Sequence, residues 1–76
     1  MDIENLVRMA NRIGDFFEAM PDTDDALAGI AAHIRRFWEP RMRRELLAYI
    51  EQHPDDPSLK PIVRQALVSQ RADLAA

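Results

Sequence analysis

Five arginines lie within ten positions of one another and surround a proline. They are Arg35, Arg36, Arg41, Arg43 and Arg44, around Pro40. A guanidinium group binds carboxylates and phosphates through several donors, so this segment should create a local positive field that suits an acidic protein surface or phosphate groups. Part of the cluster is also typical of a solvated helix face, because Glu39 and Glu45 each lie four residues from one of these arginines and can form ion pairs.

The charge of the chain is unevenly distributed. The net charge is −3, but residues 1–32 carry two arginines against seven acidic side chains, a net of −5. Residues 33–50 carry five arginines against two glutamates, a net of +3. The acidic front disfavours a nucleic-acid-binding function, since proteins of that kind concentrate positive charge on their binding surface.

The remaining polar residues do not form a recognisable catalytic or metal site. His33 and His53 have no second histidine three or four residues away, which a helical zinc site would need. The sequence has no cysteine, and therefore no thiolate nucleophile, disulfide or Cys-based metal cluster. The available hydroxyls are Thr23, Ser58 and Ser69, and the first two occupy positions typical of helix caps. We therefore predict that this chain has no active site and carries no metal or cofactor.

A second candidate surface lies on the first predicted helix. On a helical wheel, Met9, Phe16 and Met20 lie beside the core-facing stripe and widen the apolar face. Burial inside a small bundle would explain such a face, but aromatic residues and methionines are also enriched in protein interfaces. The partner-binding residues predicted from the two features together are Met9, Phe16, Met20, Arg35, Arg36, Arg41 and Arg44.

The elements that carry these residues should be helices. Apolar residues recur every three to four positions and do not alternate, so the predicted fold class is all-α. We expect a small bundle of about four short helices, at approximately 3–19, 24–38, 40–52 and 59–71. They should form a single helical domain over residues 1–76, with a tail that frays after about residue 70.

Prolines and short polar residues predict where each helix begins. Asp2 should cap the first helix, Asp22 or Thr23 the second and Ser58 the last, while Pro40 should be the first residue of the third. The apolar stripe of the second helix consists of Leu27, Ile30, Ala31, Ile34, Phe37 and Trp38. Trp38 is therefore expected to anchor the core, which leaves no exposed aromatic residue among the arginines.

Size and hydropathy set the expected location and the need for a partner. No apolar run approaches the roughly 18 residues that span a bilayer, and Met1-Asp2-Ile3-Glu4 is acidic where a signal peptide is basic. A cytoplasmic location without membrane contact is expected. A domain of this length buries only about 60% of the surface of its unfolded chain, so a partner should stabilise it. A weak homodimer of the isolated chain would be one source of that stabilisation.

Two sequence strings carry a family resemblance. The first is Ile13-Gly14-Asp15-Phe16-Phe17-Glu18-Ala19 with the Pro21-Asp22 break after it, and the second is Arg35-Arg36-Phe37-Trp38-Glu39-Pro40-Arg41-Met42-Arg43. The second string is too long and too unusual in composition to arise from helix periodicity. With these strings, residues 2–52 resemble the delta subunit of the cytoplasmic, NAD-dependent, molybdenum-containing formate dehydrogenase, and a looser similarity continues to Leu74. The loop Pro54-Asp55-Asp56-Pro57 departs from the more glycine-rich stretch of that family.

The resemblance implies an accessory subunit of a multisubunit enzyme that oxidises formate to carbon dioxide. In that family the alpha subunit holds the molybdopterin guanine dinucleotide cofactor, and electrons pass through iron–sulfur clusters and flavin to NAD. The delta subunit is small and free of redox centres, which implies a role in assembly, stability or cofactor loading with the alpha subunit as partner. Two other functions stay open: a nucleic-acid-binding regulator that uses residues 35–44, and a homo-oligomeric helical interaction protein.

Overall fold

The fold consists of α-helices joined by short connections. In the computed structural model, which describes residues 2–75, there are five helices and, over that range, no strand. They are α1 (Ile3–Phe17), α2 (Thr23–Phe37), α3 (Pro40–Gln52), α4 (Pro61–Ser69) and α5 (Arg71–Ala75). The predicted all-α fold class is confirmed. Within the same range, no helix has the length and hydrophobicity needed to cross a membrane.

Acidic caps and prolines begin the four longer helices. The carboxylate of Asp2 accepts a hydrogen bond from the backbone N–H of Glu4 at 3.3 Å, and that of Asp22 accepts one from Asp25 at 3.1 Å. These bonds satisfy backbone donors that a helix start otherwise leaves unpaired. Asp22 is therefore the cap of α2. Pro40 is the first residue of α3, as predicted, and α4 also begins with a proline.

The observed helix bounds differ from the predicted ones mainly at the end of the chain. The first two helices end one or two residues early, and the last predicted helix is divided into α4 and α5. The prediction that Ser58 caps the last helix is wrong. Its N–H and hydroxyl both donate to Asp56 Oδ1, at 2.9 and 2.7 Å, so Ser58 closes a turn. Pro61 keeps the preceding Lys60 out of the helical conformation, and α4 therefore begins at Pro61.

The core receives side chains from all five helices. Its largest fully buried members are Leu6, Ile30, Ile34, Leu46, Leu59, Leu67, Leu74 and Val63. Trp38 is only 6% exposed and belongs to this cluster, as predicted for a core anchor. α1 approaches α4 closely because Gly14 has no side chain: a Cβ there would lie 2.6 Å from Val63 Cγ2.

Phe37 does not lie in the core, and its predicted burial is wrong. It is 66% exposed, whereas Trp38 next to it is buried. Phe37 is the last residue of α2 and lies at the edge of the apolar stripe, about 80° from Leu27 on a wheel of 100° per residue. The backbone then becomes extended at Trp38, so the indole takes the inner position and the phenyl ring stays outside.

Residues 71–75 of the segment expected to fray are helical in the structure, and Ala76 lies outside the described residues. α5 packs against α2, α3 and α4, and Leu74 is 1% exposed. Two ion pairs join this short helix to the bundle, Arg35 with Asp73 and Arg71 with Glu51. The buried leucine gives the end of the chain an anchor that its length and composition did not indicate.

Asn11 connects α1 to the loop before α4. Its side-chain nitrogen donates to the carbonyl of Ser58 at 2.8 Å, and its side-chain oxygen accepts from the N–H of Lys60 at 2.9 Å. One amide group thus satisfies two backbone groups of a loop that is 47 to 49 residues away in sequence. This contact holds the loop against α1.

Replacing Asn11 with alanine should loosen that loop. Because both hydrogen bonds are lost and one loop N–H is left in a half-buried place, we expect the free energy of unfolding to fall by about 1 kcal/mol. Urea denaturation followed by circular dichroism measures the change. Asn5→Ala on the same helix is the matched control, since the side chain of Asn5 is exposed and its one hydrogen bond among the described residues is accepted from Arg8, on the same helix. Equal stabilities of the two variants would contradict the role of Asn11 in holding the loop against α1.

Candidate docking surface

An open groove between α1 and α2 has aromatic walls. It is lined by Arg12, Ile13, Phe16, Phe17 and His33, and its volume is about 390 Å³. The rings of Phe16 and Phe17 meet edge to face with centroids 5.1 Å apart, and Phe16 is 75% exposed. A cluster of exposed aromatic rings is typical of a surface that another molecule covers. We name these five residues the aromatic groove.

Gly29 on α2 makes the groove possible. A Cβ at this position would collide with the ring of Phe17, so the absence of a side chain at Gly29 lets that ring pack closely against α2. Phe17 is half-buried between the helices, while Phe16 next to it is exposed. The glycine serves close packing here, since its φ is not positive.

The groove continues into the arginine-rich segment through His33. The ring of His33 lies 4.7 Å from that of Phe37, centroid to centroid. The guanidinium carbon of Arg36 in turn lies 5.6 Å from the Phe37 centroid, within the range of a cation–π contact. The two surfaces predicted separately from the sequence are therefore connected. The connecting residues, His33 and Phe37, were absent from the predicted set.

The three apolar residues predicted as a patch have different environments. Phe16 is highly exposed and Met20, beyond the end of α1, is 38% exposed. Met9 is half-buried and packs against the core. The structure thus brings Phe16 together with the residues of α2, while Met9 contributes to the bundle interior.

The predicted arginines also divide into groups. Arg35 forms an ion pair with Asp73 of α5, and Arg41 lies 3.6 Å from Glu45 across one helical turn. Such exposed pairs contribute little to stability. Within residues 2–75, Arg36 and Arg44 are exposed and form no ion pair with any side chain.

Arg43 has a structural role that the sequence did not reveal. It is buried, and its guanidinium donates to the carbonyl of Arg35 at 3.0 Å. It thereby satisfies a carbonyl in the last turn of α2 from the neighbouring helix. The ion pair with Glu39 that the spacing allowed does not form among the described residues; the two share only the backbone bond that begins α3.

Two acidic residues adjacent in sequence to the phenylalanines of the groove form ion pairs outside it. Asp15 and Glu18 flank the two phenylalanines but pair with Lys60, at 2.9 and 3.1 Å. The hydrogen bonds from Lys60 to Asp15 and then to Glu18 raise the pKa of Lys60 above its usual value. The lining of the aromatic groove consequently contains no acidic residue.

A second cleft lies between α1 and the loop before α4, with a volume of about 490 Å³. Its lining is mixed in polarity and includes Glu4, Arg8, Asn11, Tyr49, Asp56 and Ser58. The Tyr49 hydroxyl donates to Asp56, whose other oxygen accepts from Ser58. These bonds, that from Tyr49 first, lower the pKa of Asp56 to about 2. Tyr49, Asp56 and Ser58 thus bond to one another and hold the loop together.

Replacing Tyr49 with phenylalanine should raise the pKa of Asp56 from about 2 toward 3.8, its value without these contacts. A pKa lowered by folding stabilises the protein above the unfolded value, and that contribution is lost as the pH falls through the folded value. The variant should therefore lose less stability than the parent protein between about pH 4 and pH 2. NMR titration of the Asp56 carboxyl carbon measures the shift, with the Asp55 resonance as internal control. An unchanged Asp56 titration would contradict this assignment.

The described residues contain no cluster of three or more His, Asp or Glu side chains that could hold a metal ion. The two histidines contact aromatic rings instead. His33 lies on Phe37, and His53 stacks on Tyr49 with ring centroids 4.4 Å apart. The chemistry that the surface supports is therefore association, through exposed aromatic rings and arginines.

Comparison with known proteins gives one result. No curated protein and no solved structure matches the chain. A family model described as NADH-dependent formate dehydrogenase delta subunit FdsD matches residues 5–67, well over half of the sequence. That range includes the aromatic groove, the arginine-rich segment and the first four helices except for the start of α1 and the end of α4. The chain therefore belongs to the FdsD family of formate dehydrogenase delta subunits.

Proposed function

We propose that this chain is a non-catalytic accessory subunit of an NAD-linked, molybdenum-dependent formate dehydrogenase. It binds the catalytic alpha subunit in the cytoplasm and supports assembly, stability or cofactor loading of that subunit. The alpha subunit carries the molybdopterin guanine dinucleotide cofactor, and the complex supplies the iron–sulfur clusters and flavin. The observation that carries the proposal is the exposed aromatic groove on a chain of the delta-subunit family.

The exposure of large apolar side chains supports a protein-binding role. Phe16 and Phe37 are 75% and 66% exposed, and each touches a second aromatic ring. Exposure of such rings to water is unfavourable, so their burial in a complex would contribute favourably to the free energy of binding. Two of the predicted partner residues support this role, since Phe16 lines the groove and Arg36 lies on the ring of Phe37.

Deletion of the gene tests the assembly role. Formate dehydrogenase purified from the deletion strain should have lower activity and less molybdenum per alpha subunit than enzyme from the parent strain. Reintroducing the intact chain should restore both quantities. Full activity together with normal molybdenum content in the deletion strain would refute the role. Co-purification of the chain with the alpha subunit tests whether it remains in the mature complex.

The arginines provide a second, more specific part of the proposal. Arg35, Arg36, Arg41 and Arg44 contact acidic residues of the alpha subunit or phosphate groups of its cofactor. Charge reversal by Arg36→Glu and Arg41→Glu should lower the yield of the assembled complex. Arg8→Glu is the control, since Arg8 is also exposed and lines the second cleft. Equal yields from all variants would remove this part of the proposal.

Binding of single-stranded nucleic acid is a second candidate function, favoured by one observation. Phe37 is exposed and lies beside Arg36, and such a pair can stack on a base and contact its phosphate. The net charge of −3 opposes it. Fluorescence anisotropy with a labelled oligonucleotide should show no binding at about 0.1 M salt, whereas a nucleic-acid-binding protein would bind and release it steeply as salt rises. Sedimentation of the purified chain tests the remaining alternative, a homodimer.

A further inference from the structure

We infer that the aromatic groove, extended by His33 to Phe37 and Arg36, receives a segment of the partner in which an apolar side chain is flanked by carboxylates. This inference rests on the proposed function, because it assigns the place and the chemistry of the contact with the alpha subunit. It requires a protein segment, since the groove has apolar walls as well as arginines beside it.

The floor of the groove selects an apolar side chain. Ile13, Phe16 and Phe17 supply aliphatic and aromatic surface, and the groove is open on one side. Phe17 is held in place against Gly29, so this wall already has its bound shape. An apolar side chain that binds in such a groove gains contact area without the free-energy cost of ordering the groove.

Two arginines beside the groove select carboxylates. Arg12 lines the groove directly, and Arg36 lies on the Phe37 ring beyond His33. Neither arginine forms an ion pair anywhere in residues 2–75. Because Lys60 engages Asp15 and Glu18, the carboxylates nearest to Arg12 in sequence do not neutralise it. An acidic residue close to the inserted apolar residue would meet an unpaired guanidinium.

Binding of purified chain variants to the catalytic alpha subunit tests the inference. The double variants Phe16→Ala/Phe37→Ala and Arg12→Ala/Arg36→Ala should each raise the dissociation constant about ten-fold or more. Val68→Ala and Arg8→Ala are the matched controls and should change it less than about two-fold. Val68 is 62% exposed on α4 and lines a different surface, and Arg8 lies one turn from Arg12 on α1. Equal losses in groove and control variants would overturn the inference.

The same experiment separates failure of the inference from failure of the proposed function. If the parent chain does not bind the alpha subunit, the proposed function fails. If it binds but the groove variants bind equally well, only the location is wrong. Thermal melts of each variant check that loss of binding is not loss of folding. Raising NaCl from about 50 to 500 mM should weaken parent binding and affect Arg12→Ala/Arg36→Ala less, since screening acts on charged contacts. A parent affinity independent of salt would overturn the charge complementarity.

Crosslinking identifies the occupant directly and does not depend on a destabilising substitution. A photoreactive phenylalanine analogue at position 37 should crosslink to an alpha-subunit segment that contains an apolar residue with Asp or Glu within about four positions, one helical turn. A crosslink to a basic segment, to a second copy of this chain or to nucleic acid would overturn the inference.

Discussion

Replacing Trp38 with alanine is expected to lower the free energy of unfolding by about 3–5 kcal/mol, whereas replacing its neighbour Phe37 should change it by less than about 0.5 kcal/mol. The two side chains are adjacent and both aromatic, but Trp38 is 6% exposed and Phe37 is 66% exposed. Removing a buried indole leaves a cavity that the surrounding helices fill only in part. Removing an exposed phenyl ring leaves only solvent.

The size of the Trp38 effect should make it visible without quantitative fitting. A domain of 76 residues has a total stability of about 4–11 kcal/mol on the usual scale of 0.05–0.15 kcal/mol per residue. The Trp38→Ala variant should therefore be partly unfolded at 37 °C, as followed by circular dichroism. The emission of Trp38, the single tryptophan, should report burial in both the parent protein and Phe37→Ala. Similar stabilities of the two alanine variants would contradict the placement of these rings.

This pair also separates stability from recognition. If the chain binds the alpha subunit as proposed, both variants should reduce formation of the complex, but for different reasons. The Trp38→Ala chain would lose binding because it unfolds, and a lower temperature should restore part of it. The Phe37→Ala chain would stay folded and lose binding at every temperature. That outcome would assign Phe37 a role in recognition that is independent of the core.

The helix pattern was predictable because it depends on local chemistry. The caps Asp2 and Asp22 and the proline that begins α3 act within a few residues of their own position, so composition and spacing were sufficient to find them. Ser58 is the instructive failure. Its hydroxyl could have capped a helix, but it donates a hydrogen bond to Asp56 instead. Because α4 begins at Pro61, Ser58 also lies too early in the chain to cap it.

The site was predictable only in part, because it depends on how two helices meet. The position of Phe16 on an over-wide apolar face was compatible with burial or with exposure, and only the structure shows that it is exposed. Phe37 was assigned to the core since a helical wheel does not show where a helix ends, and one residue at the terminus decides between inside and outside. A sequence feature that could have indicated the groove is Gly29, because a glycine within a helix leaves room for a ring of the neighbouring helix.

The arginines also show that sequence spacing predicts local ion pairs but not contacts between distant residues. Spacing correctly indicated the pair Arg41–Glu45, which is local to α3. It could not indicate that Arg35 meets Asp73, 38 residues away, or that Arg43 turns inward to the end of α2. Only the tertiary structure shows that Arg36 and Arg44, of the four arginines first proposed, lack an ion pair within residues 2–75.

Leu74→Ala should lower the free energy of unfolding by about 2 kcal/mol, although the sequence predicts a frayed tail at this position. Leu74 is 1% exposed and packs with the core. Truncation of a buried leucine typically costs about 2–5 kcal/mol, and the lower end applies because the five-residue α5 can shift to fill part of the cavity.

Val68→Ala is the matched control, since Val68 lies only six residues earlier and is 62% exposed. A frayed tail would make both substitutions neutral in urea denaturation, whereas a docked α5 makes only Leu74→Ala destabilising. The result also bears on the arginine-rich segment. If Leu74 anchors α5, then Asp73 stays paired with Arg35, so Arg35 would have to exchange this partner to contact the alpha subunit, whereas Arg36 forms no ion pair within residues 2–75. Charge reversal at Arg36 should then reduce binding more than at Arg35, whereas a free tail would make the two effects equal.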